Sequence, residues 1–276
     1  MPNIAIITDF GIKDGNVGVM KGVIWGVCPD AQIADVSHMI APQNVRESAL
    51  ILARSAPYFP EGTVLLLVVD PGVGTDRRPL AAQLGTRYYV GPDNGAITLW
   101  LQLARSQNLP IQFVHLDQPE YWRSEVSHVF HGRDIFAPVA GHLAAGVPLS
   151  VLGSPIQDPV LLNLPRPQRD QMGLRGEVIH IDHFGNIASN IMFDDLRENF
   201  RVPAAVEVVL GSTRIQGLVD TFGDRPRGAV IALLGSTGNL LVSVVDGNAA
   251  ETLGTRVGDP IRVNTNSDAA EAPAEP

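Results

Sequence analysis

The chain has 276 residues, 45% of them hydrophobic and 18% charged, and a net charge of −9 at pH 7. That is enough apolar material for one large domain or two small ones, and it excludes a disordered chain, a collagen and a disulfide-stapled miniprotein. A pI near 5.2 sets the chain against phosphate backbones and anionic bilayers, so neither a nucleic-acid nor a membrane partner is expected.

Asp9, Lys13 and Asp14 interrupt the first apolar stretch, so no secretory signal is expected there. Short apolar runs at residues 4–7, 33–36, 64–69, 88–90 and 111–116 predict buried strands. Between them, residues 17–27, 45–56 and 96–105 predict helices, with Pro29, Pro57 and Pro110 near their ends. The alternation predicts an α/β class: an N-terminal domain over residues 1–165 with a mainly parallel sheet sandwiched between helices. Cys28, the single cysteine, can form neither an internal disulfide nor a thiolate cluster, and it fits a small buried residue in a reducing cytoplasm. A further helix over 131–145 is expected to break at Pro138. The longest uncharged stretch, 135–157, carries too many Pro and Gly residues for a membrane span, which needs ~20 mainly apolar residues.

The rhythm changes after the proline-rich stretch 164–167. Short β-type runs at 178–181, 205–210, 213–218, 230–234, 240–244 and 260–263, punctuated by Gly, Asp and Asn, predict a smaller C-terminal β-barrel domain over 172–263. The boundary is placed near 166–172. The remaining stretch, 264–276, is Ala, Glu, Pro and Asp without apolar period and is predicted to be disordered.

Three carboxylates stand at the ends of predicted strands, where open α/β sheets bind ligands: Asp9, Asp35 and Asp70. Asp35 reads as a cap or turn former. Asp9 opens Thr8-Asp9-Phe10-Gly11-Ile12-Lys13-Asp14-Gly15, a flexible acidic turn before a helix. It has no P-loop pattern, and its carboxylates suit ribose hydroxyls or an ammonium group better than phosphate. In Asp70-Pro71-Gly72-Val73-Gly74-Thr75-Asp76-Arg77-Arg78 a strand runs into a Pro-Gly-x-Gly turn that brings an arginine back towards the strand end. The plain alternative is a surface loop with an exposed Asp–Arg pair worth little. Phe130-His131-Gly132-Arg133-Asp134 puts a histidine at a helix mouth, where it either packs and caps or takes part in chemistry.

The 181–186 segment reads as a hairpin loop, and 235–239 and 246–250 as turns rich in polar groups. The seven histidines show no metal-site spacing, and no Gly-x-Ser-x-Gly nucleophile elbow is present. Composition and spacing therefore reach a two-part protein with an acidic ligand crevice and leave its activity open.

Taken together, Thr8-Asp9-Phe10-Gly11, residues 70–77, Phe130-His131-Gly132-Arg133-Asp134 and Ile181-Asp182-His183-Phe184-Gly185-Asn186 resemble, in order, the SAM hydroxide adenosyltransferase family. These are S-adenosyl-L-methionine hydrolases related to the fluorinating and chlorinating enzymes. The resemblance implies an N-terminal α/β domain, a C-terminal β-barrel and a cytoplasmic homotrimer with active sites between subunits. The implied substrate is S-adenosyl-L-methionine, the products are adenosine and L-methionine, and no cofactor or metal is involved. A binding module that holds adenosine or S-adenosylmethionine without turnover is the alternative.

The resemblance maps the water-activating set onto Asp70, Arg77 and His131, with Arg78 as the neighbouring candidate. It assigns Asp9 to the ribose hydroxyls, Asp14 and Asp182 to the methionine ammonium, and Asn186 and Phe222 to adenine. Asn248 and Ala249 would lie near the base, and Ser236 would take the methionine carboxylate. Gln43 stands where the fluorinating relative has a tryptophan, and Thr237 where it has an arginine. Asp70 stands where the halogenating enzymes carry an uncharged residue, which favours water over a halide as nucleophile.

Overall fold

The structure, a computed structural model, describes residues 1–200 and 206–265. It is a mixed α/β chain that divides into two compact units, one of residues 1–162 and one from residue 163 onward. Among the described residues no helix is long and apolar enough to cross a membrane.

The first unit contains β1 (Asn3–Thr8), α1 (Asn16–Val27), β2 (Gln32–Ser37), α2 (Val45–Ser55), β3 (Val64–Val68), β4 (Pro79–Leu84), β5 (Arg87–Pro92), α3 (Thr98–Ser106), β6 (Ile111–His115), α4 (Ala137–Ala144) and β7 (Ser154–Ile156). Its sheet runs β2-β1-β3-β5-β4-β6-β7. Strand residues alternate between two cores because successive side chains leave opposite faces of a strand. Ile4, Ile6, Val64, Leu66 and Val68 pack with Met20 and Ile24 of α1 and Val139 and Leu143 of α4. Ala5, Ile7, Leu65, Leu67 and Val69 pack with Leu52 of α2 and Trp100, Leu101 and Ala104 of α3.

The expectation of a mainly parallel sheet needs correction. β2, β1, β3 and β5 are parallel, but β5-β4, β4-β6 and β6-β7 are antiparallel. The cause is β4, an Ala-rich strand that the apolar-run criterion passes over. Leu84 pairs with Arg87 across a tight turn in which Gly85 takes φ 64°. A turn this short joins antiparallel neighbours and leaves no room for a crossover helix.

Pro138 reshapes the predicted 131–145 helix without ending it. The stretch Gly132–Phe136 forms a π-turn that runs into α4. Pro138 has no N–H for the Asp134 carbonyl four residues back, and the Arg123 amide occupies that carbonyl instead, at 2.9 Å.

The second unit contains β8 (Gln168–Asp170), β9 (Gly173–Ile181), β10 (Ile187–Met192), α5 (Phe193–Asn199), β11 (Val206–Leu210), β12 (Thr213–Gln216), β13 (Val230–Leu234), β14 (Asn239–Val244), α6 (Ala249–Leu253) and β15 (Pro260–Thr265). All its strand pairs are antiparallel, in the order β12-β11-β15-β9-β10-β14-β13 with β8 on β9. An isolated bridge from Val219 to Leu233 ties the two ends, so the sheet is nearly barrel-shaped around a core that includes Val178, Ile187, Val208, Val242 and Ile261.

Two stretches differ from expectation. Residues 168–170, read as boundary, form β8, and Arg262 clamps Asp170 through contacts of 2.8 and 2.7 Å. Asn264 and Thr265, assigned to the disordered tail, complete β15 opposite Glu207 and Val206; Asn264 also pairs with Gly173 of β9, and this ladder pairing overrides a polar composition. The rest of that tail, 266–276, lies outside the described residues.

Gly91 in β5 shows how tightly the first sheet is packed. A Cβ there would lie 2.4 Å from the Leu67 carbonyl oxygen and 2.6 Å from the hydroxyl of fully buried Tyr89. Gly91→Ala should lower stability by about 1–3 kcal/mol, the usual cost of overpacking. The shift of the urea unfolding midpoint checks this.

Candidate active site

The site grows from the carboxyl ends of β1 and β3. Their register pairs Thr8 with Val68, so Asp9 and Asp70 leave the sheet on neighbouring parallel strands. From Asp70 two successive turns follow: the Val73 amide donates to the Asp70 carbonyl (3.2 Å) and the Thr75 amide to the Gly72 carbonyl (3.1 Å). Gly74 takes φ 77°, and a Cβ on it would stand 2.3 Å from the His128 carbonyl oxygen. The glycine is required both by its backbone conformation and by that close approach.

These turns return Arg77 onto Asp70. Its Nε donates to Asp70 Oδ1 at 2.9 Å and to Oδ2 at 3.1 Å, and its Nη2 also bonds Oδ2. Nη2 lies 2.9 Å from His131 Nδ1, and the guanidinium carbon stands 5.0 Å from the centre of the Phe136 ring, in cation–π contact. The side chains of Arg77 and Asp70 are only 9% and 6% exposed. This is a desolvated ion pair, and the reading as a solvated surface pair fails. One guanidinium nitrogen, Nη1, is buried and has no partner.

His131 sits immediately before the π-turn. Gly132 beside it rests on the end of β3, where an added Cβ would be 3.2 Å from Val68 Cγ1, so the turn holds the imidazole near Asp70. An arginine only donates hydrogen bonds, so Nδ1 must accept and the ring hydrogen belongs on Nε2. Burial, and then the Arg77 cation, hold the His131 pKa below its ordinary value of 6.5, which favours this neutral form. The preceding loop is tied down by fully buried Asp134, which accepts from Arg133 Nε (2.6 Å) and the Ser127 amide (2.9 Å). Burial alone would raise the Asp134 pKa, but Arg133 and the Ser127 amide outweigh it and keep the carboxylate charged.

Arg78, the neighbouring candidate, is engaged elsewhere: it bonds Asp93 and Asp158, each at 2.9 Å. Asp9 is half-buried, and its Oδ2 accepts from the Gln43 amide at 2.8 Å. Phe10, beside it, meets Phe130 edge-on at 5.8 Å, which links the Asp9 loop to the His131 turn. Asp14 stands exposed in the turn before α1. Asp35 is no cap; it lies within β2 and pairs with Lys21 and His38.

In the second unit, Asp182 is occupied by its own hairpin loop: it accepts from the Phe184 and Asn186 amides and from Asn186 Nδ2 at 2.8–2.9 Å. Gly185 carries this loop against Asn248; an added Cβ would lie 2.0 Å from Asn248 Oδ1. Asn248 also caps α6 by accepting from the Glu251 amide at 3.0 Å, and Ala249 behind it is fully buried. Asp182, Asn186, Asn248 and Ala249 are therefore gathered in one place. Phe222, 44% exposed, opens a short 3-10 helix, and Ser236 is exposed in the turn between β13 and β14.

Sequence reasoning passed over two features of the first site. Phe136, beneath the guanidinium, looks like any core residue of a helix. The link from Thr8 Oγ1 to His38 Nδ1 at 2.9 Å becomes legible only once β1 and β2 are known to be neighbours.

Comparison with known proteins matches this architecture across both units. The SAM hydroxide adenosyltransferase N-terminal domain matches residues 4–153, and the C-terminal domain of that family matches residues 176–262. A protein of Salinispora tropica named (R)-S-adenosyl-L-methionine hydrolase is 40% identical over 269 residues, covering 95% of this chain and 97% of its own. A Thermus thermophilus protein of the same name is 40% identical, covering 95% of this chain and 100% of its own. A fluorinase of Nocardia brasiliensis is 30% identical over 71% of this chain and 73% of its own. Among solved structures, an uncharacterized conserved protein from Thermotoga maritima superposes with a TM-score of 0.86 at 35% identity, covering 94% of this chain and 99% of its own. On sequence and structure together, the chain belongs to the SAM hydroxide adenosyltransferase family.

Proposed function

We propose that this chain hydrolyses S-adenosyl-L-methionine, in the (R) form for which its relatives are named, to adenosine and L-methionine. The observation that carries the reading is a guanidinium taken out of water, fixed by Asp70 and His131, with Nη1 still unpartnered. A water oxygen attacks the ribose 5′ carbon in line with the sulfonium. The C5′–O bond forms, the C5′–S bond breaks with its electron pair going to sulfur, methionine leaves as a neutral thioether, and one proton is released.

The leaving side needs no general acid. The difficulty lies with the nucleophile, because bulk water has a pKa of ~15.7. A fixed cation in a dry site favours the hydroxide form and adds no reorganisation cost at the moment of attack. Nη1, buried away from solvent, acts on that oxygen through the guanidinium charge, and Asp70 retains lone-pair capacity to accept a hydrogen from it. His131 is a poor base in this arrangement, since Nδ1 is engaged by Arg77 and Nε2 carries the hydrogen; its role is to orient the guanidinium and to donate from Nε2.

The binding assignments belong to the same proposal: Asp9 for the ribose hydroxyls, Asp14 and Asp182 for the ammonium, Asn186 and Phe222 for adenine near Asn248 and Ala249, and Ser236 for the carboxylate. So do the α/β-sandwich-plus-barrel description, the homotrimer with sites between subunits, and a cytoplasmic setting. Light scattering at about three times the 29.6 kDa chain mass tests the trimer.

Purified protein incubated separately with the two sulfonium epimers should release adenosine faster from the (R) form, as followed by chromatography. Release no greater than from heat-killed protein would leave only a binding module. In oxygen-18 water the label should appear on the adenosine 5′-hydroxyl. Arg77→Lys should lower kcat by roughly 10²–10³-fold, because an ammonium cannot reproduce the forked contacts with Asp70. Asp70→Asn is a better probe than Asp70→Ala, since stripping one partner from a buried pair costs about 3–5 kcal/mol of stability.

A pH profile tests the His131 assignment. The folded protein holds His131 neutral below its ordinary 6.5, so the unfolded chain binds more protons as pH falls through that value. Stability and rate should both decline on the acid side of 6.5 and be level above it. His131→Asn, whose carbonyl still accepts from Arg77, should flatten the acid limb of kcat; an acid limb that survives unchanged refutes the assignment.

A further inference from the structure

Four residues outside the proposed catalytic set form a connected chain beneath Asp9. Thr8, fully buried at the end of β1, places Oγ1 2.9 Å from Nδ1 of buried His38. On its other side, His38 Nε2 lies 2.9 Å from Asp35 Oδ1, and Asp35 Oδ2 accepts from Lys21 Nζ at 2.6 Å. Asp35 is acceptor-only when ionised, and Lys21 and His38 together hold its pKa down against the upward push of burial. At 2.9 Å Nε2 makes no aligned hydrogen bond to Asp35, so the ring meets Asp35 as a close electrostatic contact, and its directed bond is the one shared by Nδ1 and the Thr8 hydroxyl.

The Thr8 oxygen in turn accepts from the Phe10 amide at 3.2 Å, and the His38 carbonyl accepts from the Gly11 amide at 2.8 Å. One histidine thus holds the Asp9 segment from both sides, by its ring and by its backbone. The loop that leaves His38 then returns to Asp9 itself: the Gln43 amide donates to Asp9 Oδ2 at 2.8 Å. Gln43 adopts φ 64° to do so, an uncommon conformation for a residue with a side chain.

We infer that His38 is a positioning residue that, through Thr8 and the loop ending at Gln43, sets the orientation of the Asp9 carboxylate for a ribose diol. The inference rests on the reading of Asp9 as the ribose-binding group. Thr8 and His38 are buried, where a hydrogen bond is stronger than in water and fixes geometry, while the Asp35–Lys21 end of the chain is open to solvent. A carboxylate that must meet two hydroxyls at once depends on its orientation more than a group making a single contact. The arrangement is not a nucleophilic triad, because the Thr8 hydroxyl has no access to solvent.

Calorimetric binding of two probes, adenosine and 2′,3′-dideoxyadenosine, to the full-length protein isolates the effect. Asp9→Asn should weaken adenosine by roughly ten-fold, the scale of one charge-assisted hydrogen bond, and leave the dideoxy analogue within about two-fold. His38→Leu should reproduce that selective loss. His38→Asn, which still offers an oxygen to Thr8, should restore adenosine binding to within about three-fold of the parent. Thr8→Val, nearly isosteric, should behave like His38→Leu and serves if that variant does not fold.

Equal weakening of both nucleosides by His38→Leu or Thr8→Val would make the chain merely structural and overturn the inference, as would no weakening of either. If Asp9→Asn itself fails to separate the two probes, the ribose reading of Asp9 falls and the inference with it. If Asp9→Asn separates them and the His38 and Thr8 variants do not, the inference alone falls.

Discussion

The structure around the candidate site depends on a guanidinium being held out of water. Removing a charge from solvent costs several kcal/mol, and a carboxylate partner repays this only with good geometry. Asp70 supplies that geometry through both of its oxygens, and Phe136 and His131 complete the surroundings. An apolar pair of similar volume would stabilise the fold as well or better. Stability therefore does not explain why Arg77 is buried here, and still less why one of its nitrogens is left without a partner. An unsatisfied buried donor is itself a cost of about 1–3 kcal/mol.

Everything that fixes this group is a consequence of how the first sheet is wound. Parallel β1 and β3 end side by side, so the loops that leave them share one rim. The His131 turn reaches the same rim because Gly132 lets it settle on Val68. The π-turn that follows belongs to the same geometry: it absorbs the break at Pro138 while the helix continues. Wide turns of this sort are rare and concentrate where a side chain must be aimed. The loop before His131 is pinned in turn by Asp134, whose side chain takes Arg133 and the Ser127 amide while its carbonyl takes the Arg123 amide.

Much of this was legible in the residues. Runs such as Val64–Val68 announce a buried strand because every position is apolar, and the Asp and Gly residues that follow announce a loop at its end. β4 was not legible, because Pro79–Leu84 has two alanines where a strand normally shows branched residues, and with it went the mixed character of the sheet. The choice between Arg77 and Arg78 could not be made from spacing. Adjacent side chains diverge, and which one returns to Asp70 is decided by the left-handed turn at Gly74 and its contact with His128, both of them tertiary facts. The Asp182 loop was legible as a hairpin, but that its carboxylate would be filled by the Phe184 and Asn186 amides was not.

Within a family that includes fluorinases among its relatives, the electrostatics of the set bear on the choice of nucleophile. On the proposed reading, Asp70 cancels the charge of Arg77, and neutral His131 adds none. A halide would lose its hydration and stand beside a carboxylate whose repulsion offsets the pull of the guanidinium, so the pair offers it no net attraction. Water meets the same surroundings differently. It can donate to Asp70, so the carboxylate that repels an anion helps to orient a neutral molecule with hydrogens. As its proton departs, the growing negative charge on oxygen is drawn towards the guanidinium and towards the positive sulfur it is about to displace. That mutual neutralisation is strongest where water is excluded, which is the condition that burial of Arg77 and Asp70 already meets in the first unit.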